Sequence, residues 1–416
     1  MARTQAGTRS RPIWTDRDFI GLCGASLLLG LGYQVYALDF PLLVNALSQR
    51  SPVAIGTLQG IEFMPNLMLA MLIGVVVDRV SRRRVLLGAT SLRVAVLLGI
   101  YVMLHAGAAS MGAVLVSAFL LSTVTYAFHN ARMSIVKVVF VRDRLLEVNS
   151  VFSFLQQVVA IAGPATAGLL LTLLPLQAGL LVIGGMTLAG LLFLRVMRFR
   201  DNPAPATSSF GEDFRAGLRE LRRNRPLLAL SLIVVFTNST GGSFAAMFLY
   251  YAKDGMRVGN GELGLLLTAM SVGAALGSAA APRARGALGI GRLFAVAIAG
   301  SAAAYLLMSL TQATVLTVLA LLLEGTSTAL LAVGVWTFRQ ETTPPELIGR
   351  ISGLTGSIFK LGMPFAIFAS GLLAEQAGVR AVFVACAAVN FILVAYFLRS
   401  PLRAVERPVT QPAQLL

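Results

Sequence analysis

Five ionisable residues lie inside long apolar segments of this 416-residue sequence. They are Asp39, Glu62, Arg93, Glu324 and Lys360. A charge held far from water is costly, so such residues either pair with one another or carry out a function. A carboxyl group in an apolar cavity can take up and release a proton, and we expect this of Glu324 first, Glu62 second and Asp39 third. A structural ion pair, or a neutral acid held by hydrogen bonds, explains each acid equally well.

The composition indicates that these segments cross a membrane. Mean hydropathy is +0.79 and only 12% of the residues are charged, whereas roughly a quarter are charged in soluble domains. Twelve continuous apolar runs, each long enough for about 30 Å of hydrocarbon, cover residues 19–44, 53–77, 85–106, 111–131, 148–174, 176–197, 226–251, 260–282, 291–310, 312–337, 351–374 and 379–398. Barrel strands would alternate in polarity over about ten residues. We therefore predict an all-α membrane protein with twelve transmembrane helices.

The formal charge of +16 follows the topology of the chain. Lys and Arg concentrate in the two termini and in every second loop, and the remaining loops hold only Arg50, Lys253, Arg257 and Arg380. This positive-inside pattern predicts a multi-pass protein of the bacterial cytoplasmic membrane with both termini in the cytoplasm. Because no aromatic stacking surface accompanies the basic segments, we predict no nucleic-acid partner. Both cysteines lie within apolar runs, so we predict that they form neither a disulfide framework nor a zinc site. We also predict no metal site and no cofactor.

The sequence contains an internal repeat. Segments 141–171 and 341–373 both have a polar loop, a long apolar run, a proline and a Gly-Leu-Leu ending, and the two prolines, Pro164 and Pro364, lie 200 positions apart. We predict two six-helix bundles, at 1–198 and 226–416, with the second ending in a short tail. The linker, 199–225, contains an amphipathic helix, and a plain linker explains it better than a binding role.

A short charged motif lies between the second and third runs. Its residues follow the spacing Gly-x-x-x-Asp-Arg-x-x-Arg-Arg and are Gly74, Asp78, Arg79, Arg82 and Arg83. This motif resembles the signature of the major facilitator superfamily, and with the twelve runs and the repeat the resemblance covers about residues 15–400. An arginine cluster that only sets the topology explains the arginines, but it does not explain an Asp four residues after a Gly.

A second motif lies in the fifth run. Gly163, Pro164 and Gly168 resemble the Gly-Pro-x-x-Gly-Gly motif of drug and proton antiporters in the same superfamily, with Ala167 in place of one glycine. Ordinary packing of membrane helices around a tolerated proline is the other interpretation. The sequence from 36 to 86, which contains the charged motif, resembles the bacterial efflux branch that includes macrolide exporters and the enterobactin exporter.

The resemblance implies a gate on the cytoplasmic side. Asp78 would lie against the N-terminus of the eleventh helix, where the helix dipole favours a carboxylate, and within reach of arginines such as Arg350. This contact would favour the state in which the two halves close on the cytoplasmic side. Breaking it would open that side, as in alternating access by rocking of two repeats.

The resemblance also implies a central cavity lined by the first, fourth, seventh and tenth spans. The second and eleventh spans would face each other, so that Glu62 and Lys360 pair between the halves. Arg93 lies in the inner half of the third span. The polar and aromatic candidates for the cavity wall are Gln34, Tyr36, Asn66, Asn238 and Trp336.

Together these features predict a secondary active transporter of the major facilitator fold. We expect it to export a small amphipathic or hydrophobic compound, of drug or siderophore type, by proton antiport with rocker-switch alternating access. Its partners would be that compound, protons and the lipid bilayer, and we expect a monomer. No nucleotide-binding loop and no catalytic motif occurs, so we predict no enzyme activity. The alternatives are a lipid or lysolipid flippase of the same fold and a membrane sensor or scaffold that does not transport.

Overall fold

The computed structural model describes residues 13–140, 144–199, 210–343 and 348–399. Within the helices it leaves undescribed the side chains at 70, 71, 74, 75, 78, 137, 138, 146, 210–214, 216, 217 and 348–350. The described residues form helices and no strand. The helices are α1 (Arg17–Leu47), α2 (Pro52–Met68), α3 (Ala70–Arg79), α4 (Arg82–His105), α5 (Met111–Val139), α6 (Leu145–Leu173), α7 (Leu176–Val196), α8 (Phe210–Arg223), α9 (Arg225–Tyr250), α10 (Asn260–Leu310), α11 (Thr314–Thr342), α12 (Ile348–Ile358), α13 (Met363–Ala377) and α14 (Val379–Arg399).

The helices account for the twelve predicted spans. Ten stretches of the described chain are long and apolar enough to cross a membrane. One of them, α10, has 51 residues and would be about 77 Å long if straight. Gly289 divides it into two spans, because its φ of 75° lies in the region that favours glycine. The remaining span consists of α2 and α3, which are separated at Leu69. The all-α fold with twelve membrane helices is therefore confirmed.

The helices group into two compact units. The first unit comprises described residues within 13–39, 69–163 and 174–199, and the second comprises 40–68, 164–173 and the rest of the described chain from 210 onward. At three of the points where the chain passes from one unit to the other, a residue that interrupts or bends a helix lies close by. These residues are Pro41 in α1, Leu69 between α2 and α3, and Pro164 in α6. The six-plus-six division of the sequence stays a prediction.

Each unit has its own apolar core. The core of the first unit is built around Phe19 and Phe152, from α1 and α6. The core of the second unit is built around Phe294 and Phe338, from α10 and α11. Helix α8 contributes Leu221, which is 1% exposed, to that second core. Leu218 and Leu221 of this helix, which lies within the predicted linker, therefore pack in the core of the second unit.

Glycines allow close contacts between helices in the second unit. A Cβ atom at Gly56 of α2 would lie 2.9 Å from the carbonyl oxygen of Ile367 in α13. A Cβ atom at Gly325 of α11 would overlap the carbonyl oxygen of Met270 in α10. Small residues allow this backbone contact in membrane helices. Gly325 follows Glu324 directly in the chain, so this close contact lies next to that acid.

Candidate functional site

The first unit encloses a cavity of about 310 Å³ between α1, α4, α5 and α6. We call it the arginine cavity. Two of the predicted site residues, Gln34 and Arg93, line it, together with Arg132, His129 and Gln156. Its remaining wall is largely apolar, with residues such as Leu155 and Val159. No Asp or Glu is present among the described residues of this lining.

Arg93 is held only weakly by protein groups. Its side chain is 6% exposed, and one terminal nitrogen donates a long hydrogen bond of 3.4 Å to Thr125 Oγ1. Its Nε atom has no hydrogen-bond partner. Within the part of the chain that the structure describes, Arg93 forms no ion pair.

Arg132 is a second buried arginine on the same cavity wall. It is 6% exposed, and its guanidinium carbon lies 5.3 Å from the centre of the Phe152 ring, a cation–π contact. Thr125 and Arg132 are seven residues apart on α5, which is two helical turns and about 10 Å. Arg132 follows the predicted run 111–131 and was therefore expected in a loop, whereas α5 continues to Val139.

The second unit encloses a cavity of about 290 Å³, which we call the glutamate cavity. Two of the predicted site residues, Asn238 and Glu324, line it, together with Gln59, Tyr305 and Thr328. No Lys or Arg is present among the described residues of this lining.

Glu324 is the buried acid of the glutamate cavity. Its side chain is 2% exposed. Tyr305 donates a hydrogen bond of 2.8 Å to Glu324 Oε1, and Thr328 donates one of 2.9 Å to the same oxygen. Glu324 Oε2 has no hydrogen-bond partner. The site can therefore hold either protonation state: the two donors stabilise a carboxylate, and burial favours the neutral acid.

Asp39 is buried elsewhere, in the first unit. It is fully buried in α1, and neither carboxyl oxygen has a hydrogen-bond partner. A Cβ atom at Gly179 of α7 would lie 2.6 Å from Asp39 Oδ1, so the glycine makes room for the carboxyl group. Asp39 does not line the arginine cavity.

Glu62 and Lys360 are not joined in this structure. Glu62 is partly buried in α2. Lys360 is exposed and lies in the break between α12 and α13 rather than inside a continuous helix. The ion pairs among the described residues do not include one between these two residues.

The charged motif after the second span is only partly described. Gly74 and Asp78 lie in α3 and Arg350 lies in α12, but their side chains are outside the described residues. Arg79 is exposed. The Nε atom of Arg82 donates to Ser134 Oγ at 2.6 Å, and Arg83 donates to the carbonyl oxygen of Arg195 at 3.3 Å. The role of Asp78 in a gate stays a prediction.

The motif of the fifth span makes close helix contacts in α6. A Cβ atom at Gly163 would overlap the side chain of Gln34, so Gly163 leaves the space that Gln34 fills beside the arginine cavity. Gly168 lies against Gly264 of α10, and a Cβ atom at Gly264 would overlap the carbonyl oxygen of Pro164.

The remaining candidates have separate positions. Tyr36 is 5% exposed in α1, and its ring centre is 6.2 Å from that of Tyr33. Asn66 is partly buried in α2. Trp336 is 58% exposed, and the guanidinium carbon of Arg339 lies 4.2 Å from its ring centre. None of Tyr36, Asn66 and Trp336 is part of the lining of the arginine or glutamate cavity.

The comparisons with known proteins agree with the resemblance of the sequence. The family model described as Major Facilitator Superfamily matches residues 22–367 and 260–415. Macrolide efflux protein A of Streptococcus pyogenes is 25% identical over 330 residues, which are 76% of this chain and 80% of that protein.

Solved structures show the same fold. A bacterial homologue of the iron transporter ferroportin in an inward-facing state has a TM-score of 0.76 at 17% identity, and the match covers 92% of this chain and 98% of the other. A bacterial homologue of the human lysosomal transporter Spinster has a TM-score of 0.73 at 15% identity, covering 97% and 100%. The nucleoside transporter NupG has a TM-score of 0.70 at 14% identity, covering 92% and 98%. With the family model matched along nearly the whole chain, this protein belongs to the Major Facilitator Superfamily and is a transporter rather than an enzyme.

Proposed function

We propose that this protein exports a small amphipathic compound of drug or siderophore type from the bacterial cytoplasm in exchange for protons. The export direction is supported by the macrolide efflux relative. Both termini and the arginine-rich loops would face the cytoplasm, as the distribution of Lys and Arg favours. The protein would work as a monomer by alternating access.

Proton coupling rests on one observation, the environment of Glu324. This carboxyl group is 2% exposed and lines a cavity without a basic residue among its described lining. Its Oε1 atom accepts two hydrogen bonds and its Oε2 atom accepts none. A group held in this way can bind a proton in one state of the transport cycle and release it in another.

The other acids take subordinate roles in the proposal. Glu62 and Asp39 are the second and third proton sites, and Lys360 modulates Glu62 when the transporter changes state. Asp78 and Arg350 act in the cytoplasmic gate. A membrane potential supplies enough energy for this export. One proton moving down 100 mV releases about 2.3 kcal/mol, which corresponds to roughly fifty-fold accumulation of a solute.

The test uses proteoliposomes with an interior more acidic than the exterior. A panel of labelled compounds, including macrolides, is added outside, and uptake is measured for the wild type, Glu324→Gln and Glu375→Gln. Glu375 is an exposed acid near the end of α13 and serves as the matched control. We expect the wild type and Glu375→Gln to accumulate a compound and to release protons.

Glu324→Gln should lose gradient-driven accumulation, because the amide cannot carry a proton. It should retain exchange of labelled for unlabelled compound across the membrane, which needs no net proton movement. Gradient-driven uptake by Glu324→Gln at the rate of the wild type would contradict the proposed coupling.

A further inference from the structure

We infer that the arginine cavity binds an anionic group, a carboxylate or a phosphate, carried by an amphipathic molecule. This inference deepens the proposed function in one respect, since it takes that molecule to be the transported compound. It rests on two arginines, Arg93 and Arg132, and on the space between α1, α4, α5 and α6 that both of them line.

Among the described residues, neither arginine has an acidic partner that neutralises its charge. Each side chain is 6% exposed, and arginine keeps its proton even when it is buried. The described lining of the cavity contains no Asp or Glu. The ion pairs of the described chain, Arg50 with Asp254 and Arg285 with Glu341, involve neither arginine.

The hydrogen bonds and ring contacts of the two arginines leave most of their donors unused. Arg93 has one long hydrogen bond to Thr125 and a buried Nε atom without a partner. Arg132 has the ring of Phe152 and a sulfur atom of Met133 at 4.0 Å. Buried cations in proteins are normally paired with an anion, so these donors indicate a missing anionic partner.

The shape and chemistry of the cavity define the class of ligand. The planar guanidinium group offers parallel N–H donors that match the oxygens of a carboxylate or a phosphate. Gln34 and Gln156 add neutral polar groups, and Leu155, Phe128 and Val159 form an apolar wall. A cavity of about 310 Å³ with this lining fits an anionic head joined to an apolar body.

Another buried arginine of the chain illustrates the structural use of this residue. Arg339 of α11 is 3% exposed, donates a hydrogen bond of 3.0 Å to Thr355 and lies over the ring of Trp336, and its Nε atom, like that of Arg93, has no hydrogen-bond partner. It lines neither the arginine cavity nor the glutamate cavity. Arg93 and Arg132 differ from it because their charge borders open space that a ligand can occupy.

Binding is tested with full-length protein in nanodiscs made only of phosphatidylcholine. The probes are a medium-chain alkyl phosphate, the alcohol of the same chain length and the corresponding alkyltrimethylammonium. Affinity is measured by titration, with empty nanodiscs to correct for partition into the lipid. We expect the wild type to bind the phosphate at least about tenfold more tightly than the other two probes, as charge-assisted hydrogen bonds predict.

The variants Arg93→Gln and Arg132→Gln should each weaken phosphate binding by about tenfold or more. Arg84→Gln is the matched control, because Arg84 is an exposed arginine on the same helix as Arg93. It should bind the phosphate as the wild type does. Equal affinity of the wild type and the Arg93→Gln, Arg132→Gln double variant, or a preference for the ammonium probe, would overturn the inference.

Thermal unfolding separates a binding role from a structural role. Without ligand, Arg93→Met should unfold at the same temperature as the wild type or at a higher one, because it removes an unpaired buried charge. With the alkyl phosphate, only the wild type should gain stability. A lower unfolding temperature of Arg93→Met without ligand, together with unchanged phosphate binding, would assign Arg93 a structural role and overturn the inference.

A final arm identifies the source of the anionic group. Phosphatidylglycerol is added to the nanodiscs, and competition with the alkyl phosphate is measured in the wild type and in the double variant. Competition that depends on the two arginines supports the inference with a lipid head group as the occupant, and its absence supports it with a free solute. These measurements use no pH gradient, so a loss of proton coupling with normal binding would affect only the proposed function.

Discussion

The two cavities are similar in size and opposite in charge. The arginine cavity of the first unit measures about 310 Å³ and borders two buried cations with no acid in its described lining. The glutamate cavity of the second unit measures about 290 Å³ and borders one buried acid with no Lys or Arg in its described lining. Each cavity therefore presents a single sign of charge.

Arginine and glutamate are suited to different tasks, the first to anion binding and the second to proton transfer. Arginine remains charged throughout the physiological pH range, so it can recognise an anion but cannot carry a proton through a cycle. A buried carboxyl group can change its protonation state when its surroundings change. We therefore propose that ligand recognition belongs to the first unit and that the principal proton site, Glu324, belongs to the second.

Reversing the charge of the arginine cavity should have the largest effect. Gln156→Glu places an acid on the cavity wall, where it can pair with the arginines and repel an anionic ligand. We expect the affinity for the alkyl phosphate to fall roughly hundredfold in the nanodisc titration.

The control for this variant is Gln157→Glu. Gln157 is exposed, is adjacent on α6 and does not line the cavity. It should change the affinity little. If Gln156→Glu bound the alkyl phosphate with unchanged affinity, the sign of charge in the arginine cavity would be irrelevant to binding. The comparison of the two cavities by charge would then fail.

The spans and the buried acids could be predicted from the sequence, because apolar length and an ionisable residue within it are local features. Glu324 and Arg93 were found in this way. The breaks at Leu69 and beside Lys360 were not found, because they interrupt a helix without interrupting its apolar pattern. The charge of Lys360 consequently lies at an exposed turn rather than inside a continuous span.

Arg132 and Arg339 were missed for the same physical reason in both halves of the chain. Each was assigned to a basic loop, but α5 continues to Val139 and α11 to Thr342, and both arginines are buried. The signal that the helix continues was present in the apolar residues that follow Arg132, such as Ile135 and Val136.

The hydrogen-bond partners of Glu324 could not be predicted from the sequence, because Tyr305 lies 19 positions away on another helix.

Removing one donor from Glu324 should have an intermediate effect. Tyr305→Phe deletes the hydrogen bond of 2.8 Å to Oε1. The bond stabilises the carboxylate, so its loss favours the protonated acid and should shift half-maximal transport to higher pH. The measurement is the initial rate of uptake into proteoliposomes across a series of pH values.

Tyr251→Phe is the control for Tyr305→Phe. The hydroxyl group of Tyr251 donates to the carbonyl oxygen of Thr311 and has no contact with Glu324 among its hydrogen bonds. Its pH profile should match that of the wild type. A shift of the Tyr305→Phe profile to lower pH would contradict the assignment of proton handling to Glu324.

Removing the hydroxyl group beside Arg93 should have the smallest effect. The bond from Arg93 to Thr125 is 3.4 Å long, whereas Glu324 accepts bonds of 2.8 and 2.9 Å. The protein thus fixes Glu324 more firmly than Arg93, whose firm partner would be the ligand. Thr125→Val should therefore change phosphate affinity by less than about threefold, with Thr123→Val on the same helix as control. A loss of phosphate affinity as large as that of Arg93→Gln would show that Thr125 orients Arg93. The contrast between Glu324, which the protein holds, and Arg93, which the ligand would hold, would then fail.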